Sequence, residues 1–192
     1  MFLLSVAMLS ILSMTWLSGD PPVRDRWHAW PIEQVFPATV PGTSPSGARV
    51  VYELAGVAPE ASCEAALQPA AARALPGCLT VLRATYTDST QTFVATAGVV
   101  VLEEPPVTLD ARWHGYRPPN VRPVAFPGGA AEGFGRKQYV TGAVAVSDDR
   151  YLVLAAAGYA DGRPYQKGEA PAARLSGVAR QLANALNGAL TR

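Results

Sequence analysis

Hydrophobic and polar positions change their spacing several times along this chain of 192 residues. From Met1 to Gly19 no side chain is charged, and Phe2, Leu3, Leu4, Val6, Leu9, Ile11, Leu12, Trp16 and Leu17 make a nearly continuous apolar stretch. At about 1.5 Å per residue, a helix of that length just crosses a hydrocarbon layer of roughly 30 Å. The pattern then loses all periodicity. Between residues 20 and 47, Pro31, Pro37, Pro41, Pro45, Gly42 and Gly47 interrupt regular pairing, which predicts a stiff tether.

Ser46 is placed to cap a short helix reaching about Ala55, although Val50-Val51-Tyr52 equally suits the start of a strand. A helical segment is expected from Pro59, broken at Pro69 and stopped by Pro76-Gly77. After Cys78 the period becomes two. Leu79–Tyr86 and Phe93–Leu102 alternate as strands around the turn residues Thr87–Gln91, and a second hairpin is expected from Lys137 to Gly158, turning at Ser147–Arg150. The Pro- and Gly-rich connection from Pro105 to Gly135 offers one short strand, Val121–Phe126. From Pro171 onward, Leu175, Val178, Ala179, Leu182, Ala185, Leu186 and Ala189 recur at steps of three and four, the stripe of a helix that docks on a sheet.

These elements predict an α+β fold: an antiparallel sheet of four to five strands with helices packed on one face, in two layers, preceded by an N-terminal transmembrane helix. The expected organisation is an anchor at 1–19, a tether at 20–47 and an extracytoplasmic domain at 48–192. An A-x-A-like cleavage site is missing, since Trp16 and Leu17 occupy its place, and Asp20 stands where a lipoprotein signal needs its Cys. The leader is therefore expected to remain attached. No Lys or Arg precedes it whereas Arg24 and Arg26 follow, so the positive-inside rule taken literally would leave the body in the cytoplasm. A start codon assigned too late would resolve that conflict in favour of export. Trp16, Trp27 and Trp30 are expected near the membrane interface, the last two either as interfacial anchors or as a strap packed on the domain. His28, between those two, is a less favoured ligand.

Composition narrows the function classes. With 49% hydrophobic residues, 16% charged and a formal net charge of +1, the chain folds and offers no basic cluster for nucleic acid. Cys63 and Cys78 are fifteen residues apart. A straight helix would hold them roughly 22 Å apart, beyond the disulfide limit of about 7 Å, but the break at Pro69 lets the chain double back. A disulfide is the favoured reading, ahead of a metal site or a reactive thiol, because two Cys and two distant His make a poor ligand set.

No G-x-S-x-G elbow or nucleophile–base pair stands out, and Glu103-Glu104 and Asp148-Asp149 read as solvated charges. Gly128–Gly135 lacks the Lys and Ser/Thr of a phosphate loop. The most chemically varied stretch holds Trp113, His114, Tyr116 and Arg117, a candidate partner-binding surface. Neither a cofactor nor a metal is expected.

Trp30–Pro37, the Cys63 and Cys78 pair, Thr80–Asp88, Arg122–Gly128 and Gly158–Arg163 together resemble a group of uncharacterised exported or membrane-anchored proteins of actinobacteria. The resemblance spans roughly 27–163 and implies an envelope location and a disulfide, without an activity. The expected function is a single-pass, membrane-anchored accessory or scaffold domain that binds another cell-envelope protein and is not itself an enzyme. Two alternatives remain: an envelope hydrolase using His114 and a carboxylate, and a small-ligand sensor with a pocket lined by Trp113, Tyr116 and Phe126.

Overall fold

The structure, a computed structural model, describes residues 21–44, 46–105, 120–135, 141–146, 150–164 and 171–192. In chain order its elements are α1 (Arg26–Ala29), α2 (Ile32–Val35), β1 (Thr39–Thr43), β2 (Arg49–Ala61), α3 (Cys63–Ala66), α4 (Pro69–Arg73), β3 (Cys78–Asp88), β4 (Phe93–Leu102), β5 (Thr141–Val146), β6 (Tyr151–Tyr159) and α5 (Pro171–Thr191). Six strands form one antiparallel sheet in the order β1-β2-β3-β4-β6-β5.

The two expected hairpins, β3–β4 and β5–β6, are present. The first turns on Asp88, whose carboxylate accepts from the backbone N–H groups of Thr90, Thr92 and Phe93. This is the local chemistry by which an aspartate stabilises a turn. β4 and β6 pair side by side, from Phe93 opposite Tyr159 to Val101 opposite Tyr151. Every residue of β4 is buried, as is β6 as far as Gly158. A strand buried on both faces needs cover on both sides.

That requirement corrects the two-layer expectation. On one face α5 lays Leu175, Val178, Ala179, Leu182, Ala183, Leu186 and Leu190 onto the sheet. Beneath it lie Ala95 and Ala97 of β4, Ala143 and Ala145 of β5, and Ala155 and Ala157 of β6. Small side chains let the helix approach the strands closely. On the opposite face Ala66, Leu67, Ala71, Leu75, Val121, Ala131 and Phe134 cover Val81, Val94, Val100, Leu152 and Leu154. The helices α3 and α4 therefore lie on the opposite side of the sheet from α5.

The remaining differences arise in the first part of the chain. Residues 21–44, expected as tether, are built into the domain: β1 pairs with β2, and Val35, Phe36 and Val40 are buried in the α5-side core. Pro41 and Gly42 are tolerated because β1 is an edge strand. The helix expected from Ser46 is instead the start of β2, and the strand runs on through Pro59 to Ala61. Register shifts at Leu54/Gly56 and Ala58/Ala61 make room for the proline ring and break the alternation that would have announced the strand. Ser62 then caps α3 and Pro69 opens α4, two short helices in place of one broken one. The strand expected at Val121–Phe126 reduces to a single bridge between Val121 and Leu67.

Among the described residues no helix is long and apolar enough to cross a membrane; the apolar leader lies outside them.

Candidate functional site

Cys63 and Cys78 are joined in a disulfide with their Cα atoms 6.3 Å apart, which ties α3 to the first residue of β3. Trp27 and Trp30 pack half-buried against the α5-side core. The backbone N–H of Trp27 donates to the Tyr151 hydroxyl at 3.2 Å, and that hydroxyl donates to the Val23 carbonyl at 2.5 Å. Arg26, only 7% exposed, donates to the carbonyls of Leu190 and Arg192 at 2.7 and 2.6 Å and lies 4.6 Å from the Trp30 ring centroid. The guanidinium thus satisfies carbonyls that a helix end leaves without partners and opposes the negative end of the α5 dipole. Residues 22–36 form a strap locked to the last turn of α5. His28 is exposed, with its ring 5.1 Å from that of Trp27. Trp16 and the candidate surface of Trp113, His114, Tyr116 and Arg117 lie outside the described residues.

The turn after β6 holds its own groups together. Arg163 pairs with Asp161 at 2.7 Å and stacks 4.4 Å from the Tyr159 ring centroid. A shallow groove of about 230 Å³ runs along α5, lined by Ala173, Arg174, Gly177, Val178 and Gln181. It is smaller than the roughly 300–1,000 Å³ of small-molecule sites, and the Gln181 amide is already engaged with both backbone groups of Thr43. Phe126, proposed above as a pocket wall, lies on Gly56, where an added Cβ would fall 2.4 Å from the ring. Among the described residues no group of three or more His, Cys, Asp or Glu could hold a metal ion.

The arrangement with most unspent chemistry lies under the irregular segment 120–135. This backbone covers the sheet without a ladder, so side chains supply its partners. Thr85 donates to the Val124 carbonyl at 2.7 Å, and the Val124 N–H donates to Thr96 at 2.9 Å. Thr85 and Thr96 also touch through their hydroxyls at 2.8 Å. With the Thr85 proton committed to Val124, Thr96 is the donor of that pair. Asn120, fully buried, donates to the Ala143 carbonyl at 2.9 Å. Arg122 donates from Nε to the Leu67 carbonyl at 2.7 Å and from Nη2 to the Glu64 carbonyl at 3.4 Å.

Arg83 stands beside this network, in the middle of β3 between Val81 and Thr85 on the same face. It is paired across the sheet with Ala58 and Gly98. Gly98 has no room for a side chain because Val121 already occupies it, 2.9 Å from where a Cβ would sit. The segment carrying Arg122 therefore presses down next to Arg83. Burial, and then the charge of Arg122, hold the Arg83 guanidinium below the usual arginine range. Its Nε is buried and has no hydrogen-bond partner. A buried donor left unsatisfied costs about 1–3 kcal/mol. The ion pairs among the described residues, Arg24–Asp25 and Arg163–Asp161, involve neither Arg83 nor Arg122.

This pair was missed in the sequence, although one sign of it was visible there. An arginine stands in the middle of a central strand, and in the fold it is only partly buried.

No family model, curated protein or solved structure matches the chain.

Proposed function

We propose that this chain is an accessory domain of the cell envelope, held by its apolar leader on the outer side of the cytoplasmic membrane, where it binds another envelope protein and transforms no substrate. The observation that carries this reading is the Cys63–Cys78 disulfide. Such bonds persist in oxidising compartments and are rare in a reducing cytoplasm. The uncharged stretch from Met1 to Gly19 supplies a route out and a means of attachment. The strap supports a rigid mounting, because Arg26 and Tyr151 fasten the chain to the domain from Pro21 onward.

Two measurements test the proposal. A C-terminal reporter active only in the cytoplasm is expected to stay silent in the full chain, and thiol alkylation without reduction is expected to find no free cysteine. A bright reporter or two reactive thiols would overturn the location. In-cell crosslinking of the full chain is expected to trap one envelope protein reproducibly. Recovery of the uncrosslinked chain alone, or measured turnover of a substrate, would overturn the binding role.

A further inference from the structure

We infer that the strap is the surface on which the domain meets the lipid headgroup layer, an inference that rests on the anchored location proposed above. The length of chain between leader and domain carries it. Leu17 is the last apolar residue of the leader, and the fastened chain begins at Pro21, whose carbonyl accepts from Arg26 Nε at 3.3 Å. The four residues from Leu17 to Pro21 reach at most roughly 14 Å when fully extended. The headgroup layer on one side of a bilayer takes up about 5–8 Å of that reach. Pro21 therefore lies within about 10 Å of the outermost headgroups when the leader spans the hydrocarbon. The strap holds that distance short. Buried Arg26 donates to the carbonyls of Leu190 and Arg192, and Tyr151 donates to that of Val23, so no further chain is paid out before the domain begins.

The outer side chains of the strap suit such a neighbour. Trp27 and Trp30 are turned half-buried onto the core, so other residues meet the headgroups. Ile32 is one of three large hydrophobic residues exposed among the described residues, and Arg24 and His28 are exposed on the same strap. An exposed isoleucine near a guanidinium and an imidazole matches the headgroup boundary, where apolar atoms sink toward the acyl chains and polar tips stay wet. Arg24 already pairs with Asp25 at 3.4 Å, so the short chain, and not net charge, keeps this face on the bilayer. The far end of the sheet is held away. Gly158 is seven residues along β6 from Tyr151, roughly 23 Å. Exposed Arg49 lies farther still, past the row Glu53, Thr87, Val94 and Gly158 that crosses the sheet.

The test is fluorescence quenching in the full chain, reconstituted in phosphatidylcholine vesicles that carry a spin label on the headgroup. With Cys63 and Cys78 joined, a bimane label goes to the single added thiol of His28→Cys, Ile32→Cys or Arg49→Cys. Loss of most of the fluorescence is expected at 28 and 32, and no loss at 49. Equal quenching at the three positions, or the strongest quenching at 49, overturns the inference. Labels at 28 and 32 that are shielded from aqueous iodide yet untouched by the headgroup label would show that protein, a second copy included, covers the strap, which overturns it too. Washing with alkaline carbonate separates this inference from the reading beneath it. A chain stripped from the vesicles has no anchor, and both fall. A chain that stays with its strap unquenched keeps the anchor and loses the headgroup contact.

Discussion

The two faces of the sheet are covered by different kinds of backbone, and the side chains beneath them differ accordingly. α5 closes its own hydrogen bonds, so the strands below it need supply only shape: alanines where the helix runs close, and larger residues where it leaves room. Segment 120–135 has almost no ladder of its own and borrows partners from the sheet. Thr85, Thr96 and Asn120 are all fully buried on that account. Irregular cover thus obliges the sheet to bury polar groups, because a buried carbonyl or N–H must find a partner somewhere. Polar residues appear on the α5 side too, but at its margin. Tyr86 and Tyr151 reach out of the core to hold the carbonyls of Pro37, just after the strap, and of Val23 within it.

The comparison breaks most readily on the apolar side. Leu182 is fully buried against the strands. Leu182→Ala is expected to lower unfolding free energy by about 2–5 kcal/mol in urea melts, the range for a leucine cavity that collapses only in part. A loss under about 1 kcal/mol would mean that α5 is not the principal cover.

The disulfide sharpens the contrast from the other direction. Its two cysteines are fifteen residues apart and pack on the α3/α4 side. Replacing both by Ser is expected to cost about 3 kcal/mol, through the freedom returned to the unfolded chain. Amide exchange should then rise first in α3, α4 and 120–126, with α5 still protected. Loosening of α5 first would contradict the assignment of these elements to opposite faces.

Alkali is expected to act on the α5 side. Burial, and secondarily the charge of Asp88, push the Tyr52 phenol up to about 12 from 10.0, and burial raises Tyr86 as well. The folded state therefore holds these protons more tightly than the unfolded chain does. That contribution is complete below pH 10 and is lost as pH rises toward 12, by an amount on the order of 2 kcal/mol for Tyr52. Tyr52→Phe should flatten the fall of stability across this window, and an unchanged slope would rule the tyrosine out as its cause.

The same contrast explains what was legible in the sequence. The hairpins β3–β4 and β5–β6 and the helix α5 announce themselves because each keeps one period over its length and ends on turn or capping residues. The disulfide followed from the break at Pro69. The strand β2 was hidden by its register shifts and by Pro59, and β1 by Pro41, which an edge strand accepts. The second cover was hidden for another reason. Val94, Val100, Leu152 and Leu154 are as apolar as their neighbours in sequence, so alternation could not separate two buried faces. What could have done so was the facing pair Thr85 and Thr96, polar residues fully buried in central strands, which need partners from whatever lies above them.

Thr85 allows the smallest and most specific test of that argument. Its hydroxyl is the donor to the Val124 carbonyl and the acceptor for Thr96. Thr85→Val keeps the volume and removes both bonds, leaving a backbone acceptor that no side-chain substitution can delete. A destabilisation of about 1–2 kcal/mol is expected, with faster amide exchange at 121–126 and unchanged exchange in α5. The double variant Thr85→Val/Thr96→Val strips the Val124 N–H of its acceptor as well, so its loss should exceed that of the single change. In an ordinary apolar core, valine for a buried threonine would be neutral or stabilising once its hydroxyl partner was also removed. A double variant as stable as the parent would therefore show that the two hydroxyls serve each other and not the covering backbone.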